Sequence, residues 1–387
     1  MSNLAKSAYD FTEIPYNDIV RVGQRTMLYR DLFTVSWLLG RFCNYKCSYC
    51  WPYARSDKKD HRPTELCLLT VDEIKRQARE RGFNSFHFSL SGGEPTFHPG
   101  YIDILNHLNN DAGNTNYTSV HMTTNMSRSL QWHKDEYCKA ASKFHRASIT
   151  ASLHTEHVDT KEKMAEFGDK LDLCQQHDVQ VTINMVMVPE WFDRDYENAL
   201  YFHNRGINVT LKPQSDPTAS KVVDGYTPEM LKVLHNGMPQ RAYTEAKAGE
   251  ANLVERPKPT FKKEPDPIYT QDSIPQHFQV EFVDKNKKVW YMDQAERFNA
   301  FNFNKFKDWE CSSGYRSIII REPDGSIKRS YSCHDAPLGN IETGFKLFDG
   351  PKTCISPSCV SSADSKIPKR APGTKLPLWP GDNTFTV

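Results

Sequence analysis

Between residues 32 and 212 the chain alternates short apolar runs with longer stretches in which apolar positions recur at helical spacing. The runs at 32–38, 86–90, 118–123, 147–153, 179–188 and 208–212 are rich in β-branched and aromatic residues, which suits strands. The stretches at 71–81, 101–109, 130–139, 161–177 and 194–204 suit amphipathic helices, the first with Thr70 as N-cap and Gly82 as stop. Strand and helix in regular alternation predict a parallel sheet with right-handed crossovers, an α/β architecture. Ligands of such sheets gather at the carboxyl ends of the strands.

Beyond residue 212 the rhythm changes. Residues 227–240 suit a helix, and 255–267 form a proline-rich extended loop. Residues 278–283 and 287–291, split by Asp284-Lys-Asn-Lys, read as a hairpin. Phe298, Phe301, Phe303, Phe306 and Trp309 follow as core or as the seam between domains. Residues 314–327 carry apolar runs around Asp324-Gly325, a hairpin signature. The tail from Ser361, rich in Pro, Lys and Gly, is expected to wrap the surface. The expected division is an extension at 1–30, an α/β core at 31–215, a linker or insert with helix and hairpin at 216–300, a small domain at 301–361 and a tail at 362–387.

Composition narrows the function classes. A net charge of +1 and the lack of a basic stripe argue against a nucleic-acid binder. No run is apolar enough to span a membrane, and the opening residues lack a signal-peptide pattern. Ten cysteines without an export signal point to reduced thiols, metal ligation and a cytoplasmic setting.

Cys43, Cys47 and Cys50 are separated by three and then two residues, directly after the first predicted strand. Three close thiolates hold three corners of a cubane iron–sulfur cluster and leave the fourth open. Zinc is the alternative, with His61 as the available fourth ligand. About forty residues on, Ser91-Gly92-Gly93-Glu94-Pro95 closes the second predicted strand. Glycines there let the backbone approach a ligand closely, and a carboxylate suits an ammonium group.

These two motifs at this separation resemble those of the radical S-adenosylmethionine (SAM) enzymes. The resemblance implies a partial (β/α)6 TIM-like barrel, with a 4Fe–4S cluster on Cys43, Cys47 and Cys50 that binds SAM. It places Ser91, Gly92, Gly93, Glu94 and Pro95 at the SAM amino group, and Tyr49 near adenine. Thr124, Asn125 and Ser152 match positions that hold the ribose or carboxylate, and Asn184 lies in the fifth strand beside them. Many relatives carry Ser-Leu-Asp-Gly where this chain has Ser152-Leu153-His154-Thr155, so the role of that aspartate does not carry over. His154, and Lys212 at the end of the sixth strand, are the candidates for acting on substrate.

Cys311, Cys333, Cys354 and Cys359, with 21, 20 and 4 residues between them, form a second thiol set. Four thiolates also suit structural zinc. Together with the Asp324-Gly325 hairpin and Leu338-Gly339-Asn340-Ile341, they resemble the SPASM/Twitch extension of radical SAM enzymes. Four cysteines match the shorter Twitch-like iron–sulfur domain, with one fully ligated auxiliary 4Fe–4S cluster. Cys67, Cys138 and Cys174 are expected in the core.

The resemblance implies reductive cleavage of SAM to a 5′-deoxyadenosyl radical that abstracts hydrogen from a substrate C–H bond. That makes the expected enzyme an oxidoreductase or related radical-mediated modifying enzyme, acting on a small polar metabolite. A peptide or protein maturase of the SPASM type is the alternative, and a non-catalytic iron–sulfur redox protein a third reading. A flavodoxin- or ferredoxin-type protein is the expected electron donor.

Overall fold

The computed structural model describes residues 13–24, 31–217, 221–236, 240–241, 252–253, 280–292, 298, 302–359 and 361–378. The proline-rich loop at 255–267, Phe301, and the segments 1–12, 25–30 and 379–387 lie outside them.

A first short strand, β1 (Ile19–Gln24), precedes the repeating unit. β2 (Leu32–Leu38), β3 (Ser85–Ser91), β4 (Tyr117–Thr124), β5 (Arg146–Ser152), β6 (Val179–Met187) and β7 (Asn208–Pro213) then pair in parallel, each with its sequence neighbour. Helices α1 (Thr64–Arg79), α2 (Tyr101–Leu108), α3 (Leu130–Trp132), α4 (Cys138–Ala141), α5 (Lys161–Gln176) and α6 (Phe192–Asn204) lie between the strands. The result is the expected partial TIM-like barrel, and among the described residues the sheet does not close.

Burial alternates along each strand. Phe33, Val35 and Trp37 of β2, Phe86, Phe88 and Leu90 of β3, and Ile183 and Met185 of β6 are buried in the core shared with the helices. The opposite face carries Thr34, Ser36, Ser89, Thr150, Thr182, Asn184 and Thr210, all half-buried. This inner face is polar to an unusual degree for a parallel sheet, whose strands normally read as continuous apolar runs. His87 and His121 belong to it. His87 Nδ1 lies 2.8 Å from Ser119 Oγ, and His121 sits 2.8 Å from Ser148 Oγ and 3.1 Å from Thr150 Oγ1.

Several boundaries differ from the sequence reading. α1 starts at Thr64 behind Pro63, because the apolar spacing continues upstream through Leu66 and Cys67. Thr70 is therefore no N-cap but a buried mid-helix residue whose hydroxyl donates to the Leu66 carbonyl at 2.7 Å. The expected helix at 130–139 is interrupted by a π-turn, His133–Tyr137, between α3 and α4, and both named residues are fully buried there. α7 (Pro228–Asn236) is shorter than expected; Gln240–Arg241 instead forms β8, paired with β9 (Asn252–Leu253). Cys67, Cys138 and Cys174 are buried in the main core, as expected.

The carboxy-terminal third divides between two sheets. β10 (Val280–Asp284) and β11 (Val289–Met292) form the expected hairpin, its turn braced by Asp284 Oδ1 accepting from the Asn286 and Lys288 amides. β12 (Glu310–Cys311) follows. β13 (Ser317–Ile320) and β14 (Ser326–Lys328) form the second hairpin, around Asp324-Gly325. This hairpin does not stay within the small domain: β13 runs parallel to β2 and extends the barrel sheet. Its four residues are all buried, so the strand needs cover on both faces. β15 (Gly339–Asn340) and β16 (Gly344–Phe345) complete that edge.

β17 (Lys352–Thr353) and β18 (Lys369–Arg370) join the other sheet, whose order is β11-β10-β1-β18-β12-β17. Residues 19–24, read as part of an extension, and 369–370, read as surface tail, are thus inner strands, which revises both readings. A two-residue strand carries no periodic signal, and Lys369 is drawn inside only because its ammonium is satisfied. It donates to the Asp364 and Ser365 carbonyls at 2.9 and 2.8 Å and lies over the Phe306 ring. Phe298, Phe303 and Phe306 pack with Ile19, Val22, Val280 and Phe282 into a second core, also lined by Cys359.

Candidate functional site

The three-cysteine loop leaves the carboxyl end of β2 and is held by backbone on two sides. On one side Leu39 donates to Ser91 O at 2.8 Å, Gly93 to Gly40 O at 2.9 Å and Glu94 to Phe42 O at 2.7 Å. On the other, Cys43 donates to Ser56 O and Ser56 to Arg41 O. Gly92 and Gly93 make the first seam possible. A Cβ on Gly93 would lie 2.3 Å from the Arg41 and Phe42 carbonyl oxygens, and one on Gly92 2.3 Å from Gly40 O. Gly92 also has φ +144°. The glycines therefore allow close backbone packing against the cysteine loop.

Glu94 is 1 % exposed and its carboxylate is occupied by the protein itself. Oε1 accepts from Thr96 N, Thr96 Oγ1 and Thr124 Oγ1, and Oε2 from Asn125 N at 2.6 Å. Burial raises its pKa, and these donors act in the opposite direction. Thr124 and Asn125 thus meet Glu94 directly, tying the end of β4 to the turn after β3. The Asn125 amide reaches on to Asn44 Oδ1 at 3.0 Å and to Cys43 Sγ at 3.8 Å. Asn44 also accepts from Ser127. Pro95 opens the buried turn Pro95–Phe97.

The thiols of Cys43, Cys47 and Cys50 have raised pKa values, Cys47 being pushed up to about 12, in each case mainly by burial. Each is close enough to at least one of the others to add a like-charge penalty on ionisation. A cation or an electropositive cluster placed among them would reverse that penalty, so the donor set fits a thiolate-bound metal group. Among the described residues no three His, Cys, Asp or Glu side chains stand grouped as around a metal ion. His61 packs its ring against Phe42 and His98.

Tyr49 and His154 come together, with the Tyr49 hydroxyl 2.6 Å from His154 Nδ1. Burial pushes the His154 pKa down to about 4, so the ring is neutral at pH 7. Ser152 and Asn184 face each other across β5 and β6, on the inner face. Lys212 lies further along that face, in register with Val186. Among the described residues Ser152, Asn184 and Lys212 make no side-chain hydrogen bond, which leaves their polar groups open to the inner space.

Contacts that the sequence reading did not anticipate come from Glu156 and His157, which hold the cysteine loop, and from Tyr331. The Tyr331 phenol is held near the Ser36 and Ser91 hydroxyls of the inner face, and burial pushes its pKa up to about 12. The signal available for Glu156 and His157 was their place, just past the strand-four tetrapeptide that departs from the resembled pattern.

Cys311, Cys333, Cys354 and Cys359 lie near enough to feel one another's charge, though not grouped as around a metal ion. The Cys311 thiol donates to Ser313 Oγ at 3.4 Å, which lies 3.9 Å from Cys333 Sγ. Ser330 Oγ is 3.0 Å from Cys333 Sγ. Burial raises the Cys333 and Cys354 thiols and pushes Cys359 up to about 12, and each also feels the charge of others in the set. Arg329, 2 % exposed, lies beside Cys311 and Cys333 and donates to Ser313 O. Four soft donors with a buried cation nearby fit an anionic, thiolate-rich metal group.

Residues 37–202 match the family model of the Radical SAM superfamily. No curated protein matches the chain. Among solved structures, native anSMEcpe with bound AdoMet is similar at 17% identity over 81% of this chain and 79% of that one, with a TM-score of 0.49. Native anSMEcpe with bound AdoMet and Cp18Cys peptide gives 16% identity over 81% and 78%, again with a TM-score of 0.49. BtrN in complex with AdoMet and 2-DOIA is similar at 10% identity over 60% of this chain and 98% of that one, with a TM-score of 0.25.

Proposed function

We propose, for a chain whose residues 37–202 belong to the Radical SAM superfamily, that it is an enzyme that oxidises or rearranges a small polar metabolite with the help of an auxiliary cluster. Cys43, Cys47 and Cys50 would hold the SAM-binding 4Fe–4S cluster, and Cys311, Cys333, Cys354 and Cys359 the auxiliary one. When bound, the first group supplies the electron that cleaves SAM to a 5′-deoxyadenosyl radical, and the second a sink for the substrate's electron.

The chain's own contribution is position and polarity. The Gly40–Phe42 and Gly93–Glu94 seam fixes the cysteine loop against the end of β3. Glu94, Thr124 and Asn125 fix the end of β4 beside it. The observation that carries the substrate reading is the inner face, where Ser152, Asn184 and Lys212, beside Val186, have no side-chain hydrogen bond among the described residues. Such a lining suits a compact polar molecule, whose own hydrogen-bonding groups would satisfy it. A flavodoxin- or ferredoxin-type donor and a reducing cytoplasm complete the reading. Among the described residues, no helix is long and apolar enough to cross a membrane.

Anaerobic reconstitution followed by iron counting and incubation with SAM and dithionite tests it. About eight irons per chain and release of 5′-deoxyadenosine are expected. The triple replacement of Cys43, Cys47 and Cys50 by Ala should keep about half the iron and lose SAM cleavage. About four irons with stoichiometric zinc would remove the auxiliary cluster, and 5′-deoxyadenosine from the triple variant would remove the site.

A further inference from the structure

The segment after β5, residues 154–157, grips the cysteine loop residue by residue. The Tyr45 ring stacks on His157 at 4.1 Å and 9° and meets His154 edge-on. The Lys46 amide donates to His157 Nε2 at 3.2 Å. Ser48 donates to the Glu156 carboxylate twice, from its amide to Oε2 at 2.9 Å and from its hydroxyl to Oε1 at 2.6 Å. Tyr49 reaches His154. Four residues of the loop are thus held by three residues of one short segment, between and beside the thiols.

The segment is itself anchored. The buried Thr155 hydroxyl donates to Asp195 Oδ1 at 2.8 Å and accepts from Arg194 Nη2 at 2.8 Å, which fixes it to α6. The His157 and Val158 amides both donate to His154 O at 2.9 Å, closing a tight turn. Holding a ligand loop through rigid neighbours is what preorganises a metal site.

Glu156 adds a charge to this grip. Its carboxylate is bonded to the residue that follows Cys47. Nearby cations are engaged elsewhere: Lys46 and Arg55 both pair with Asp57. The local field at Cys47 is therefore negative on this side, and placing an electron on a group beside a fixed anion is disfavoured by Coulomb repulsion.

We propose that residues 154–157 are the positioning device of the three-thiol loop, and that Glu156 holds the reduction potential of the metal group on that loop low. This rests on the reading that Cys43, Cys47 and Cys50 carry an iron–sulfur cluster. A low potential makes the reduced cluster a stronger one-electron donor, and the electron for its reduction comes from an external low-potential donor, dithionite in the test.

The test is a mediated redox titration of the reconstituted full chain, followed by the electron paramagnetic resonance of the reduced cluster. It is run in the Cys333→Ala background so that one cluster reports. Glu156→Gln keeps the shape and an acceptor for Ser48 but removes the charge. Its midpoint should move to a more positive value with iron content unchanged. Glu156→Asp, which keeps the charge, should titrate close to the parent. A Glu156→Gln midpoint equal to the parent's, at equal iron, overturns the tuning role. If Glu156→Gln fails to load, the Asp variant decides: a midpoint shifted positive despite its retained charge overturns the inference. A parent without iron on the first loop is a different failure, that of the cluster assignment itself.

Discussion

Replacing Gly93 by Ala probes what the Gly-Gly pair is for. The added Cβ would sit 2.3 Å from two carbonyl oxygens, of Arg41 and Phe42, and 2.6 Å from the Phe42 carbonyl carbon. Ordinary C···O contact needs roughly 1 Å more, and the obstacle is backbone, which cannot swing aside as a side chain can. Overpacking of this kind costs about 1–3 kcal/mol. The forced separation also stretches the Gly93–Gly40 and Glu94–Phe42 hydrogen bonds, each worth about 1 kcal/mol net. A total near 3–5 kcal/mol is expected. Urea unfolding of the metal-free protein measures it, with hydrogen exchange of residues 40–50 showing whether the loop detaches first. Gly82→Ala is the control. Gly82 has φ +84° with nothing within 4 Å of its Cβ position, so only the left-handed penalty of about 1 kcal/mol applies. A Gly93→Ala protein within 1 kcal/mol of wild type, with unchanged exchange but weakened SAM binding, would refute this reasoning and return the glycine to the ligand.

Three further outcomes follow from the same structure. Glu94→Gln leaves one acceptor where two oxygens now take four donors and turns an amide towards donors, so a loss of about 2–4 kcal/mol is expected in urea unfolding; unchanged stability would mean the carboxylate network is not formed. His121 is held neutral, its pKa pushed down to about 4 mainly by burial, with Lys366 and Arg146 adding to it. The unfolded chain takes up this proton near pH 6.5 and the folded one does not, so wild type should lose about 1–3 kcal/mol between pH 6.5 and 4 that His121→Gln does not lose; parallel thermal-melt curves for the two would contradict it. Cys333→Ala should spare SAM cleavage but stop turnover of the true substrate, and normal turnover with the second iron set demonstrably gone would end the electron-acceptor role.

The barrel was legible because its signal is repeated: six strands and their helices each carry a period of their own, and each check reinforces the next. Both thiol sets stand out in the sequence because cysteine spacing is chemical, not conformational. What escaped was whatever depends on who meets whom. The Glu94 network escaped because its four donors come from Thr96, Thr124 and Asn125, the last two about thirty residues away. The packing of Gly92 and Gly93 against residues 40–42 escaped as well, since nothing local reveals which backbone lies against them. β1 and β18 escaped because short strands are made by their neighbours, and β13 because a run of buried isoleucines does not say which sheet will cover it.

That last point bears on how the molecule is made. β2, the first strand of the barrel, has its outer edge covered by β13, 283 residues later in the chain. β1 pairs first with β10 and waits longer still, about 350 residues, for β18. On the ribosome the barrel's strands emerge in order and can pair as they come, at the pace of synthesis. Throughout that interval the backbone groups along one side of β2 stay open, an edge that invites pairing with other chains.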